Sequence, residues 1–192
     1  MKICKLDASA IDDARPQLVE LLLDAVLEGA SLGFLATIDA READAYWRGV
    51  RTAVAAGVRV LIAAAHEGAL AGTVQLDLCQ KPNGLHRAEL QKMMVHTRVR
   101  RRGIGGVLLR AAEAEALELG RGLLFLDTQA GSGAEQLYHG LGYTRVGEVP
   151  DYACTPDGRW HPTAIYYKSL FAPAAVVPRA PASASRPARV AA

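Results

Sequence analysis

The pattern of apolar and polar positions divides the chain into helices and strands before any chemistry is considered. Ile3 to Leu6 reads as a short strand. Leu18, Leu21, Leu22, Ala25 and Val26 recur at i, i+3, i+4, the stripe of an amphipathic helix, which Gly29 and Gly33 end. A second helix begins at Asp39, with Glu42 three residues on in capping-box spacing. Its stripe is Ala43, Tyr46, Trp47, Val50 and Val54, and Gly57 closes it. Val58 to Ala65 is an apolar run broken by Arg59, and Glu67-Gly68 fits a two-residue hairpin turn. In the next strand Val74, Leu76 and Leu78 alternate with Thr73, Gln75 and Asp77, giving one dry face and one wetter face. Lys81 to Leu85 forms a turn, and Ala88 to Val95 is a further strand. A long helix from Gly103 to Leu119 stops at Gly120. Leu123 to Leu126 is a short apolar strand, Ala134 to Leu141 a short helix, and strands near Tyr143 to Val146 and Ala164 to Lys168 follow.

The order is strand, two helices, three strands, helix, strand, helix, two strands. It predicts a mixed-sheet α/β domain, not the regular alternation of a dinucleotide-binding fold. From Ala172 the chain is rich in Ala, Pro and Arg. Repeated Pro blocks helix and sheet pairing, so the domain is expected over 1–171 and a disordered tail over 172–192. Composition sharpens this little: 51% apolar and 22% charged residues over 192 positions are enough for one packed core. No apolar run is long enough to cross a bilayer, and the N-terminus lacks a signal-peptide pattern, so no membrane association and a cytoplasmic location are expected. A formal charge of +2, from 22 basic and 20 acidic residues, argues against a nucleic-acid binder. Cys4, Cys79 and Cys154 are far apart and are expected to be small buried apolar residues.

The stretch between the strand ending at Val95 and the long helix carries the chemistry. It reads Arg100, Arg101, Arg102, Gly103, Ile104, Gly105, Gly106. A helix N-terminus offers unpaired N–H groups and a partial positive charge. Glycine lets a ligand approach the backbone, and arginine adds fork-shaped donors. Together they predict a pyrophosphate cradle. The competing reading is a solvated basic run or a nucleic-acid patch. Glycines in a first helical turn each cost about 1 kcal/mol against alanine, which favours the cradle. The third glycine is misplaced for a G-x-G-x-x-G fingerprint.

The pattern R-x-x-G-x-G, Arg100 to Gly105, resembles the acetyl-CoA-binding motif of the GNAT N-acetyltransferases. A-x-x-L-Y-x-x-x-G-Y, Ala134 to Tyr143, resembles that family's second signature. More narrowly, LCQKPNGLHRAELQKMMV, LLFLDTQAGS, YTRVGEVPDYACTPDGRWHPTAIYYK and GASLGF are similar to the tabtoxin-resistance type within the family. The resemblance covers most of residues 1 to 171. It implies a GNAT-like mixed α/β fold, a splayed central sheet of about seven strands flanked by four helices. It also implies an acetyl-CoA co-substrate lying between the strands that begin at Ala88 and Leu123. The backbone at Met94 and Val95 then pairs with the pantetheine arm and polarises the thioester carbonyl. The pyrophosphate lies on the segment from Arg101 to Gly106. One position departs from the family: Gly131 stands where Asn is usual, and Ser132 is the substitute contact.

The implied reaction is acyl transfer to the amine of a small amino-acid-like molecule, a toxin in the narrow resemblance. Glu89 and Asp127 are candidate bases or ammonium ligands, against a solvated edge residue and a loop cap respectively. Tyr138 is the candidate acid for the departing thiolate, against a half-buried aromatic. None of the five histidines is assigned a role, and no metal is expected. Selectivity is expected from 30–35, 81–87 and 150–162, with Tyr152 and Trp160 as aromatic walls and Trp47 in the core. A non-catalytic acyl-CoA-binding module is the alternative. A small amine is the expected partner, and the protein is expected to be a monomer or homodimer.

Overall fold

The computed structural model describes residues 1–171. The elements are β1 (Lys2–Leu6), α1 (Ala8–Leu27), α2 (Ala40–Ala55), β2 (Arg59–His66), β3 (Ala69–Leu78), β4 (Arg87–Val95), α3 (Ile104–Glu118), β5 (Leu123–Gln129), α4 (Gly133–Gly140), β6 (Thr144–Cys154) and β7 (Trp160–Ser169). Single 3-10 turns stand at Pro82–Gly84 and Thr97–Val99. The seven strands form one sheet in the order β1-β2-β3-β4-β5-β7-β6. Every neighbouring pair is antiparallel except β4 and β5. This is the mixed α/β architecture with four helices that the order of elements predicts. The expected tail, 172–192, lies outside the described residues.

Local signals account for most boundaries. The Asp39 carboxylate accepts from the Glu42 N–H at 2.7 Å, and Asp7 does the same for Ala10 at 2.8 Å. Glu67 and Gly68 have φ of 52° and 81°, the two positive values a type I′ hairpin turn requires. The first helix is longer than its apolar stripe indicates. It starts at Ala8 and runs through Pro16, a break costing roughly 3 kcal/mol in a helix interior. Tertiary contacts offset that cost: Ile11 is fully buried, and Asp12 pairs with Arg15 and Arg51 on α2. β6 is also longer, to Cys154, because register shifts let it track β7 past Pro150.

Apolar side chains of the sheet pack on both faces. On one face Leu61, Ala63 and Met94 join Leu18, Leu22, Trp47 and Val50 of α1 and α2. On the other, Val60, Leu76, Leu90 and Leu126 pack with Leu108, Leu109 and Ala112 of α3 and Tyr138 of α4. Trp47 belongs to the core, as its helical stripe predicts. The three cysteines are free and only half-buried.

Candidate active site

The sheet opens where the two motifs meet. β4 pairs with β5 at only three positions, Arg87 with Leu123, Ala88 with Leu124 and Glu89 with Phe125. Beyond them β4 runs on to Val95 and β5 to Gln129, leaving facing strand edges without sheet partners. Backbone N–H and C=O groups on such edges are strong ligands for an extended amide-bearing molecule.

A bulge sets which side chains face the gap. Gln75 pairs with Gln91 and Thr73 with Met94, so β4 uses one residue more than β3 here. The extra residue is accommodated at Lys92, whose φ is 50°. Its effect is to reverse the alternation: Leu90 faces α3, while Met94 packs under α1 and α2. The Met94 side chain is therefore core, and only its backbone is offered to the gap. Gly72 supports this segment, since an added Cβ would stand 2.5 Å from the Met94 carbonyl oxygen.

The strap from β4 to α3 is tied to α1. Asp24 accepts from the Thr97 N–H at 3.0 Å and from its hydroxyl at 2.7 Å. Arg98 reaches Glu20 at 3.2 Å and the Leu70 carbonyl at 2.9 Å. His96, almost fully buried, lies between Glu20 and Asp24 at 3.2 and 3.3 Å. The basic run is thereby divided. Arg98 serves the scaffold, whereas Arg100, Arg101 and Arg102 form no ion pair among the described residues. Arg100 donates to the Val95 carbonyl at 3.1 Å, and Arg102 lies 3.3 Å from His66.

Gly103 caps α3 with φ of 77°, a left-handed conformation that any other residue adopts at a cost. The first N–H groups of α3, through Gly106, point out of the helix end without intrahelical acceptors. Ile104 is buried, so it contributes backbone alone. Gly105 has a second reason to be glycine: a Cβ there would lie 3.1 Å from the Leu137 side chain of α4. Three arginines without a carboxylate partner among the described residues, a left-handed glycine and an open helix end fit an anionic diphosphate.

Across the gap, Glu135 fixes the start of α4. It accepts from the Gly131 N–H at 2.6 Å, from the Tyr166 hydroxyl, and from Arg145 at 3.3 Å. These donors hold its carboxyl below the usual carboxylate range, the Tyr166 bond most of all. The adjoining Ser132 hydroxyl is buried with no hydrogen-bond partner. A buried hydroxyl left unpaired is costly, and a ligand amide in the gap would satisfy it.

Glu89 and Asp127 project to the same sheet face, on neighbouring strands. Burial pushes the Glu89 pKa up, and the Asp127 and Asp77 charges add to it, against Lys92 and Arg59. Tyr138 is 5% exposed and stacks edge-on to Tyr143 at 5.7 Å between ring centroids. Burial first, and the Asp127 charge second, raise its phenol so far that it keeps its proton throughout the physiological range. Next to Glu89 runs a polar network of Tyr46, Gln75, Arg59, Asp77 and Gln91. Its β3 members lie on the polar face expected to be the wetter one, but helices cover that face and Gln75, like Thr73, is fully buried. Their assembly with Arg59 required the strand register.

The loop 29–38 reaches the β6–β7 turn through the Ala36 N–H and the Pro156 carbonyl at 2.9 Å. Tyr152 and Trp160 are exposed near that end. The 81–87 turn sits at the closed end of the β4–β5 pair, held by Arg121 through the Cys79 and Leu85 carbonyls. Cavities of about 350 and 450 Å³ flank the last turns of α1, and none of Glu89, Asp127 and Tyr138 lines either.

Residues 20–143 match the profile of the acetyltransferase (GNAT) family. The chain belongs to the GNAT acetyltransferase family. It is an acetyl-CoA-dependent acetyltransferase, and the family's co-substrate fits the gap, the helix end and the unpaired Ser132 hydroxyl just described. Solved structures share the fold. A ribosomal-protein-alanine N-acetyltransferase from Brucella melitensis superposes with a TM-score of 0.73 at 22% identity, over 88% of this chain and 100% of the other. A protein from Salmonella typhimurium, solved with its cofactor acetyl-CoA, gives 0.71 at 21% identity over 91% and 96%. An aminoglycoside 6'-acetyltransferase type Ii gives 0.68 at 22% identity over 90% and 99%. No helix of the described residues is long and apolar enough to cross a membrane.

Proposed function

We propose that this GNAT enzyme acetylates the amine of a small amino-acid-like molecule, a toxin of the tabtoxin type being the model acceptor. What supports the reading is the gap opening immediately past the Glu89–Phe125 pair, with the Glu89 and Asp127 side chains on one sheet face and the Asp127 charge acting on the buried Tyr138 phenol. Acetyl-CoA supplies an activated acetyl group as its thioester.

The chain's residues divide the remaining work. The Gly103 to Gly106 amides and the Arg100, Arg101 and Arg102 side chains hold the pyrophosphate. The backbone at Met94 and Val95 pairs with the pantetheine arm, and an N–H there stabilises charge developing on the carbonyl oxygen. Ser132 takes the place of the family's usual Asn. Glu89, its pKa raised by burial and by the neighbouring Asp127 and Asp77 charges, removes a proton from the ammonium group before attack. Asp127 holds that ammonium and keeps the Glu89 pKa high. As the C–N bond forms and the C–S bond breaks, Tyr138 gives its proton to the departing sulfur, and the second amine proton, lost as the amide forms, passes through solvent to restore the phenol.

Acetyl-CoA turnover, read as free thiol over amino acids, dipeptides, polyamines and aminoglycosides, tests the reading. Turnover concentrated on small amino acids is expected. Preference for polyamines or aminoglycosides, or no turnover on any, would overturn the substrate class.

A further inference from the structure

One cation of this site belongs to neither sequence motif. Lys92 occupies the bulge of β4 in a left-handed conformation that lysine rarely adopts. A straight strand would put residue 92 on the α3 face with Leu90. The bulge carries it instead to the face shared by Glu89 and Gln91. There its ammonium lies 3.5 Å from where a Cβ on Gly33 would stand. A Cβ at position 33 would only touch it at ordinary van der Waals distance, and glycine is required there by a φ of 82°.

Lys92 is half-buried, yet it forms no ion pair among the described residues. Nor do Glu89 and Asp127. Arg59, by contrast, is engaged by Asp77 and Gln75. Burial lowers the Lys92 pKa, against the opposing pull of Asp127 and Glu89, so these charges sense one another without touching. A lysine whose task was to neutralise the acid pair would close on it. Asp127 is exposed and solvated, but holding a half-buried ammonium and the half-buried Glu89 carboxylate apart is costly unless something else completes them. The complement of a free cation beside a free acid pair is a zwitterion.

We infer that Lys92 binds the carboxylate of the acceptor, and so selects molecules that carry an amine and a carboxylate together. The inference rests on the proposed acetyl transfer and adds the residue that sets acceptor choice. A polycation such as an aminoglycoside would meet Lys92 as a like charge. A plain amine would leave it unpaired.

The test compares L-amino acids with their matched primary carboxamides, which keep the amine and lose the negative charge. Binding is followed by calorimetry on the CoA-saturated protein, and transfer by free-thiol release from acetyl-CoA. The wild-type protein is expected to favour the acid at least tenfold in both Kd and kcat/KM. Lys92→Met should erase that preference by raising KM for the acid at least tenfold. It should leave the carboxamide within threefold and acetyl-CoA affinity unchanged, and Lys92→Arg should restore the preference. Equal use of acid and carboxamide by the wild-type protein overturns the inference without any variant, so it stays exposed even if Lys92→Met fails to fold. An equal loss on both acceptors in Lys92→Met also overturns it, since mere charge balance would do that. Acid-selective binding with no transfer to any amine would uphold the anchor and defeat the transfer reading. Binding of neither member of any pair counts against the anchor.

Discussion

At the residue scale the site depends on where individual protons reside. Tyr138 is buried against Tyr143 and Tyr166, so Tyr138→Phe keeps the packing and removes only the hydroxyl. Where chemistry limits turnover, kcat is expected to fall at least tenfold, in line with the ~10²- to 10⁴-fold worth of general acid catalysis. Acetyl-CoA affinity should stay nearly constant, because the hydroxyl acts as the bond breaks. Full kcat in this variant would remove Tyr138 from the chemistry. Glu89 allows a test of sign. Its folded pKa is raised by burial and by Asp127, so the folded state binds an extra proton between the unfolded value and the folded one. Its contribution to stability is therefore complete below the unfolded pKa and is lost as pH rises through the folded pKa. Glu89→Gln should gain stability relative to wild type in urea melts as pH rises from the unfolded pKa through the folded one. The same variant should lose the low-pH limb of the kcat/KM profile. A stability difference that is flat with pH would mean that Glu89 is not buried as a charge.

At the element scale, glycines set how closely strands and helices approach. Gly72 on β3 faces the Met94 carbonyl and the Val95 Cα, neither of which can move without moving β4. Gly72→Ala is expected to cost about 1–3 kcal/mol, the usual price of overpacking. It should also weaken acetyl-CoA binding, although residue 72 lies on β3, behind the strand that lines the gap. Gly105→Ala would meet only the tip of Leu137, which can turn aside, and should cost less. Gly103→Ala meets no atom within 4 Å, and its loss, about 1–2 kcal/mol, comes from φ alone. Denaturant melts and calorimetry on the three variants would rank them. An order in which Gly72→Ala is the mildest would contradict the close approach of β3 to Met94.

For the whole molecule the weak seam is the β4–β5 junction, three pairs wide in a seven-stranded sheet. A ligand that bridges the open part joins the two halves of the sheet and binds only the folded state. At a hundredfold excess over Kd that linkage is worth about 2.7 kcal/mol. For a domain of this size it corresponds to a rise in Tm of roughly 5–10 °C. Hydrogen exchange should slow most at the backbone amides around Met94 and Val95 when acetyl-CoA is added. Unchanged exchange there, with protection elsewhere, would move the co-substrate out of the gap.

The order of elements, the caps at Asp39 and Gly57, the Glu67-Gly68 turn and the two motifs were all determined by the sequence alone. Each depends on residues within a few positions of one another, where propensity and hydrogen-bonding chemistry act locally. The same locality explains what was missed. Pro16 hides the first half of α1, whose stability comes from contacts with α2 and the core. The later part of β6, with Pro150 and a left-handed Asp151, lacks strand alternation and is held by its pairing with β7. Only the tertiary structure could separate Arg98, tied to α1, from the arginines beside the helix end. Only the register of β3 against β4 shows that a bulge turns Lys92 towards Glu89 and Asp127. Residues far apart in sequence share a face because a sheet alternates its side chains with period two. One inserted residue reverses that alternation, and local sequence does not reveal where the insertion is absorbed.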